Sequence, residues 1–316
     1  MARSESAVSA PPPGVEASIW HRIWVGSSPT LAASAEHALL ARHLKTPFTL
    51  SRVPIELPSL ELGTQYISTL EINSDAPGPA IVWAHGAGAG IGWGYRTFDL
   101  LANLGGVRRR VVAFDWLGQA NSSRPPFPSG KSLFRSMGQS EEQRIDAALR
   151  FFTLSLEEWR KAMRIEAMLL VAHSTGAYVA AHYAMAYPGV VRHLVLHGAA
   201  GLGPHPTPPA SDGKRRAEGL ETDGKRVPTP AVLSGLSGLW EAGWLNFGVV
   251  QRAGRLLREA IRGRFFQFIE RRAGITDAAE LDLFFDYFYS ANCAGEVRPP
   301  VISRELPRPH LISCAS

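Results

Sequence analysis

Four short apolar runs, each closed by a small or polar residue and separated from the next by a helical pattern, constrain this chain more than any other feature. The runs are residues 80–84, 110–114, 166–172 and 193–196, and between them apolar residues recur at helical spacing over 95–104, 141–163 and 175–187. A short strand without polar alternation is buried on both faces, and a helix between two such strands carries the chain back across the sheet. The pattern predicts a doubly wound, mostly parallel α/β sheet with functional groups at the carboxyl ends of its strands. Ahead of it, 48–57 and 65–72 read as two more strands joined by a turn at Leu62-Gly63, the first an edge strand because Pro54 has no N–H to give to a ladder. Ala35, Leu39, Leu40 and Leu44 predict a short helix over 32–43.

The strand ends carry the chemistry. The third run leads into Val171-Ala172-His173-Ser174-Thr175-Gly176-Ala177, which places Ser174 on a sharp strand-to-helix turn of the nucleophile-elbow kind. Small residues at 172 and 176 suit it, because strand and helix backbones approach closely there. A serine that merely caps a helix would give the same five residues. The first run ends in His85-Gly86-Ala87-Gly88-Ala89-Gly90-Ile91-Gly92, whose alternating glycines also fit a dinucleotide loop, with Asp115 closing the next strand. That fingerprint belongs on the first strand of its sheet, however, and two strands precede this one. An oxyanion loop accounts for Ser174 as well: the N–H groups of Ala87 and Thr175 would face a developing oxyanion, with His85 and Gly86 supporting the loop. Asp115 precedes the nucleophile, whereas the triad acid of this architecture follows it, so Asp115 is expected to brace the loop. Glu157-Glu158-Trp159 reads as two solvated acids beside a packing tryptophan.

Composition excludes several classes. The 316 residues are 45% apolar, enough for a sizeable core, and 33 basic against 28 acidic residues leave a net charge of only +5. No nucleic-acid partner is expected from so mild an excess, which suits an anionic lipid surface equally well. Cys293 and Cys314 have no spacing partners, so neither a disulfide framework nor a metal site is expected, and no cofactor is implied. No apolar run approaches the ~20 residues of a membrane-spanning helix, and the start of the chain lacks the apolar centre of a secretory signal. The expectation is a cytoplasmic protein, soluble or peripherally associated with membrane.

Five stretches divide the chain. Residues 1–18 read as a disordered leader. Residues 19–46 form a segment in which Trp20 and Trp24 suit either a lipid interface or docking onto the domain. The α/β core runs over 47–201, a linker and helical cap over 202–293, and an irregular tail over 294–316. Within the cap, 249–272 sets apolar residues against five arginines as an amphipathic basic helix, and 277–292 completes it.

Taken in order, His85-Gly86-Ala87-Gly88, Phe114-Asp115-Trp116-Leu117-Gly118, Ser122-Ser123-Arg124-Pro125, Ser155-Leu156-Glu157-Glu158-Trp159-Arg160 and His173-Ser174-Thr175-Gly176 resemble the α/β-hydrolase superfamily of the AB hydrolase-1 type. Within it the chain is similar to the branch of α/β-hydrolase domain proteins 4 and 5 and their plant and fungal relatives, from about Trp20 to Cys293. The resemblance implies a serine-dependent carboxylic ester hydrolase or acyltransferase of lipid metabolism, or a lipase regulator. Its partners would be a lipid or acyl-ester substrate and a membrane or lipid-droplet surface. Ala172 departs from the usual Gly, and Gln119-Ala120-Asn121 stands where the family often has a second Gly and an Arg. The acyltransferase motif of that branch, His-x4-Asp, occurs nowhere: His197 is followed at that distance by Leu202 and His310 by Ala315.

Serine-dependent hydrolysis also needs a base and an orienting acid, which this architecture places after the cap in the order Ser, acid, His. Only 296–316 follow, with Pro299, Pro300, Pro307 and Pro309, against the roughly 30 residues of one further βαβ unit. His310 is the candidate base and Glu305 the candidate acid, with no strand around either. Three readings stay open: an enzyme whose last strands lie beyond this sequence, a catalytically incomplete lipid-surface or lipase-regulating protein, and an enzyme with an improvised base. With the last strands missing, an open sheet edge would favour a protein partner.

Overall fold

In the computed structural model, which describes residues 28–125, 141–199, 221–222, 225–226, 275 and 277–293, the apolar runs become the inner strands of a six-stranded sheet. β1 (Phe48–Leu57) and β2 (Leu62–Ile72) form an antiparallel hairpin, and β2 joins β4 (Val111–Phe114) antiparallel. β4, β3 (Ala80–Ala84), β5 (Met168–His173) and β6 (Val191–His197) then run parallel, giving the order β1-β2-β4-β3-β5-β6. From β3 the chain steps to β4 on one side and afterwards to β5 on the other. A crevice therefore opens at the carboxyl ends of β3 and β5, the place where such sheets bind ligands. Short pairs at Glu221–Thr222 and Lys225–Arg226 complete the described strands.

Every residue of β3 and β4 is buried, and their alternation feeds two cores. Val82, Ala84, Val112 and Phe114 point to one face, against Trp116, Phe152 and Trp159. Ile81, Trp83, Val111 and Ala113 point to the other, against Leu39, Leu40, Phe98 and Tyr287. The second face is covered by α1 (Pro29–His43) and a helix from the far end of the chain, Ala278–Cys293, which pack on each other. The first face is covered by α3 (Glu141–Ala162) and α4 (Thr175–Ala186), and the far helix takes the label α5.

Three local expectations need correcting. The hairpin turn lies before Leu62-Gly63: Pro58–Leu60 make a 3-10 turn, Glu61 takes φ 54°, and Leu62 already pairs with Leu57. Proline's fixed φ starts that turn early. The helix expected over 95–104 shrinks to α2 (Phe98–Ala102), flanked by 3-10 turns at Ile91–Gly94 and Leu104–Gly106. Gly105 and Gly106, at φ 67° and 73°, stop it. α1 starts a turn earlier than 32, because the Ser28 hydroxyl accepts from the Leu31 N–H at 3.1 Å with Pro29 at the first helical position.

Glu157 is not a solvated acid. Its carboxylate is buried between α3 and α4, takes a bidentate pair from Arg160 at 2.8 Å each, and accepts from the Tyr183 hydroxyl at 2.7 Å. Burial opposes its charge, but those partners outweigh burial and hold the carboxyl below the usual range. Beside it, the indole of Trp159 donates to Thr69 Oγ1 at 2.8 Å. Among the described residues β6 is the outer strand on its side of the sheet, with Val195 and Leu196 52% and 39% exposed. No helix of the described residues is long and apolar enough to cross a membrane. Trp20, Trp24, the amphipathic stretch 249–272, Glu305 and His310 lie outside the described residues.

Candidate active site

The backbone separates an elbow from a capped helix at Ser174. A capping serine sits in extended conformation with its hydroxyl accepting from the helix, as Ser28 does at φ −146°. Ser174 instead has φ 56° and ψ −124°, and its side chain makes no capping bond to α4. A non-glycine residue in that region carries strain of about 1–3 kcal/mol, held only because its surroundings are fixed. Here the Ser174 N–H donates to the His197 carbonyl of β6 at 2.9 Å, and its own carbonyl accepts from Ala177 at 3.1 Å. The small neighbours are obligatory. A Cβ on Gly176 would lie 2.1 Å from the His85 carbonyl oxygen, and one on Gly86 2.8 Å from the Ser174 Cβ.

Across the crevice stands the loop after β3. A cavity of about 70 Å³ is bounded by Gly86 to Ala89 on one side, His173 and Ser174 on another, and Trp93 and Phe288 on a third. The structure thus brings together Ser174, Gly86 and Ala87, with Thr175 opening α4 beside them. His85 holds the root of the loop. Its Nδ1–H donates to the Gly86 carbonyl at 2.7 Å, its Nε2 accepts from the Trp116 N–H at 3.1 Å, and its carbonyl accepts from the Trp116 indole at 2.8 Å. These bonds need the neutral ring, and burial pushes its pKa down to about 4. Asp115 lies outside the cavity and ties down the far leg of the loop: one oxygen accepts from the Ile91 N–H at 2.7 Å, the other from the Asn121 N–H at 2.9 Å. Burial pushes its carboxyl up to about 7.

Several residues at the site carried no functional reading in the sequence. Glu36 on α1 is fully buried beside Asp115 and accepts from the Asn121 side chain at 3.1 Å. Its signal was legible: a carboxylate on the helix face that Ala32, Leu39 and Leu40 make apolar. Tyr287 on α5 accepts from the Gly92 N–H at 3.0 Å, and Phe288 packs at a tilt against Trp93 with ring centroids 6.0 Å apart. Glu280 binds the Tyr95 hydroxyl and, at 2.7 Å, Arg96 Nε, fastening α5 over the loop. His173, in the cavity wall, is half-buried; burial pushes its pKa down, and its Nδ1 has no hydrogen-bond partner among the described residues. Among the described residues no carboxylate stands beside it, so they supply a serine across a small cavity from the loop of residues 86–89 without an oriented base. Among them, no group of three or more His, Cys, Asp or Glu is arranged to hold a metal ion.

A family model described as alpha/beta hydrolase fold matches residues 79–218. Over 291 residues the chain is 33% identical to a 1-acylglycerol-3-phosphate O-acyltransferase of Arabidopsis thaliana, covering 87% of this chain and 62% of that protein. It is 41% identical over 138 residues to a probable 1-acylglycerol-3-phosphate O-acyltransferase of Oryza sativa subsp. japonica, covering 44% and 29%. It is 35% identical over 130 residues to a (lyso)-N-acylphosphatidylethanolamine lipase of Homo sapiens, covering 41% and 33%. The chain therefore spans less than two thirds of each of these relatives.

Proposed function

We propose that this chain, which belongs to the α/β-hydrolase superfamily, is built for acyl-ester chemistry at Ser174: a serine-dependent carboxylic ester hydrolase or acyltransferase acting on a lipid or lysophospholipid. The observation that carries the reading is the strained Ser174 backbone facing the loop of residues 86–89 across one small cavity. The Ser174 hydroxyl oxygen attacks the ester carbonyl and gives up its proton to a base outside the described residues. The carbonyl oxygen becomes the oxyanion, stabilised by the N–H groups of Ala87 and Thr175. Collapse expels the alcohol and leaves an acyl-serine, which water or a second lipid hydroxyl then takes up.

The cavity sets limits on what is recognised. At about 70 Å³ it receives an ester group, with Trp93 and Phe288 offering an apolar wall to the start of an acyl chain. Among the described residues its lining carries no Lys or Arg, which suits an uncharged acyl ester. A second reading is a lipid-surface or lipase-regulating protein at a membrane or lipid droplet that uses Trp20 and Trp24, two tryptophans within five residues that suit a lipid interface. A fluorophosphonate probe separates the two: covalent labelling of wild type but not of Ser174→Ala supports the enzyme, and equal labelling sinks it. For the second reading, flotation with anionic liposomes should fall in the Trp20→Ala, Trp24→Ala double variant; unchanged flotation counts against it.

A further inference from the structure

The loop of residues 86–93 has two legs. The near leg, 86–89, faces Ser174; the far leg, 90–92, turns into the domain and meets groups from three distant stretches of chain. The Ile91 N–H is held by Asp115 at 2.7 Å, and the Gly92 N–H by the Tyr287 hydroxyl at 3.0 Å, from a residue 195 positions away. Asp115 also holds the Asn121 N–H at 2.9 Å, and the Asn121 side chain donates to Glu36 on α1 at 3.1 Å. The glycines record this packing. A Cβ on Gly90 would stand 2.3 Å from the Tyr287 hydroxyl and 2.9 Å from Asp115 Oδ1, and one on Gly92 2.6 Å from the Tyr287 ring. The alternating glycines of this stretch therefore make room for a buried phenol and carboxyl, where a dinucleotide loop would use them to approach a pyrophosphate.

Such a cluster is an unusual way to fill a core. Glu36, Asp115 and Tyr287 are at most 2% exposed, and among the described residues Glu36 Oε1 has no well-formed hydrogen bond, although the Gly92 N–H lies near enough to favour the charged carboxyl. Apolar side chains of the same volume would avoid the desolvation that these groups suffer. What they provide instead is direction: two consecutive backbone N–H groups, at 91 and 92, are fixed by acceptors on separate elements. The near leg ends at Ala89, two residues before Ile91, and oxyanion donors lose their effect when displaced by about half an ångström. We propose that Glu36 and Tyr287 are positioning residues for the oxyanion loop: Tyr287 directly, and Glu36 through Asn121 and Asp115, set where the amides of residues 86–89 stand against Ser174. The proposal rests on Ser174 acting as a nucleophile across that loop.

The test uses the whole chain, fluorophosphonate labelling of Ser174, and amide hydrogen exchange on the same samples. Tyr287→Phe and Glu36→Leu should lower the maximal labelling rate by about fivefold or more, a fraction of what loss of one oxyanion donor does, while the half-saturating probe concentration stays within about twofold. Glu36→Gln keeps an oxygen for Asn121 and should recover most of the rate lost in Glu36→Leu. The amides of Ile91 and Gly92 should exchange faster in Tyr287→Phe, with those of β3 and β4 unchanged. A maximal rate equal to wild type, a slowing matched by an equal loss of folded fraction, or Glu36→Gln no better than Glu36→Leu would overturn the proposal. Should wild type itself resist the probe, the nucleophile reading fails, and unchanged exchange at 91 and 92 would then refute the positioning on its own.

Discussion

Gly176→Ala isolates the contact on which the elbow depends. The added methyl would sit 2.1 Å from the His85 carbonyl oxygen and 3.0 Å from its carbon, both backbone atoms that no rotamer change can move. Ordinary contact needs more than an ångström of extra separation, so α4 or the root of the loop must shift. Overpacking of this kind costs about 1–3 kcal/mol. The same carbonyl accepts from the Trp116 indole at 2.8 Å, and loosening that buried bond adds about 1 kcal/mol. A loss of about 2–4 kcal/mol lowers the melting temperature by roughly 5–15 °C for a domain of this size. Gly63→Ala is the matched control, because nothing lies within 4 Å of its Cβ position. Thermal melts followed by circular dichroism, with fluorophosphonate labelling on the same samples, should show both stability and Ser174 reactivity falling for Gly176→Ala and neither for Gly63→Ala. A Gly176→Ala protein that melts within 2 °C of wild type would refute the close approach of β3, β5 and α4 from which the elbow is argued.

Two further substitutions probe the face behind Ser174. Trp159→Phe removes the indole N–H that serves Thr69 Oγ1 at 2.8 Å and should cost about 1–3 kcal/mol in a denaturant titration; a change below about 0.5 kcal/mol would mean the bond is replaced by water. Arg160→Met strips Glu157 of its bidentate partner while leaving Tyr183, and should destabilise by about 2–4 kcal/mol at pH 7 and by less at pH 4, where the bared carboxyl takes up a proton. Equal losses at both values would show that packing of the Arg160 stem, and not the charge, is what matters.

What the sequence makes legible here is what periodicity encodes. The apolar runs at 80–84 and 110–114 have no polar alternation, and both become strands buried throughout. The helix over 141–163 differs from the observed Glu141–Ala162 by one residue. Ser174 lay between two readings because the quantity that separates them is a torsion angle, which five residue types do not specify. The partners of the loop were out of reach for a different reason. Asn121 meets Glu36 across 85 positions and Gly92 meets Tyr287 across 195, and nothing local to either residue announces the other. Glu157 was misread for the same cause: its charge looked solvated on a helix face until Tyr183, 26 positions on, supplied a hydroxyl and a wall.

The buried carboxyls beside the loop give stability a pH dependence whose sign differs from that of the ion pairs elsewhere. Glu157 and Glu280 are buried enough to be opposed, yet their Arg and Tyr partners hold them below the usual range. An acid depressed in the folded state contributes stability above its unfolded value and loses it as pH falls through the folded one. Glu36 runs the other way. Burial first, and the neighbouring charge of Asp115 second, hold it well above the usual range, so the folded protein keeps a proton that the unfolded chain has released. Folding is then penalised progressively as pH rises from about 4.3, at up to roughly 1.4 kcal/mol per pH unit, until Glu36 reaches its own folded value. His85 stays neutral and Tyr287 stays protonated through this range, while Asp115, pushed up to about 7, adds a penalty of the same sign to wild type and to Glu36→Gln and so largely drops out of the difference between them. Glu36→Gln removes the titration and retains the acceptor for Asn121. Its melting temperature relative to wild type should climb as pH goes from 5 to 8, by roughly 3–5 °C per unit at most. A difference that stays flat over that range would mean Glu36 ionises in the folded protein as it does in water, and one that falls would mean it is held by a cation; either result refutes a protonated Glu36 beside Asp115.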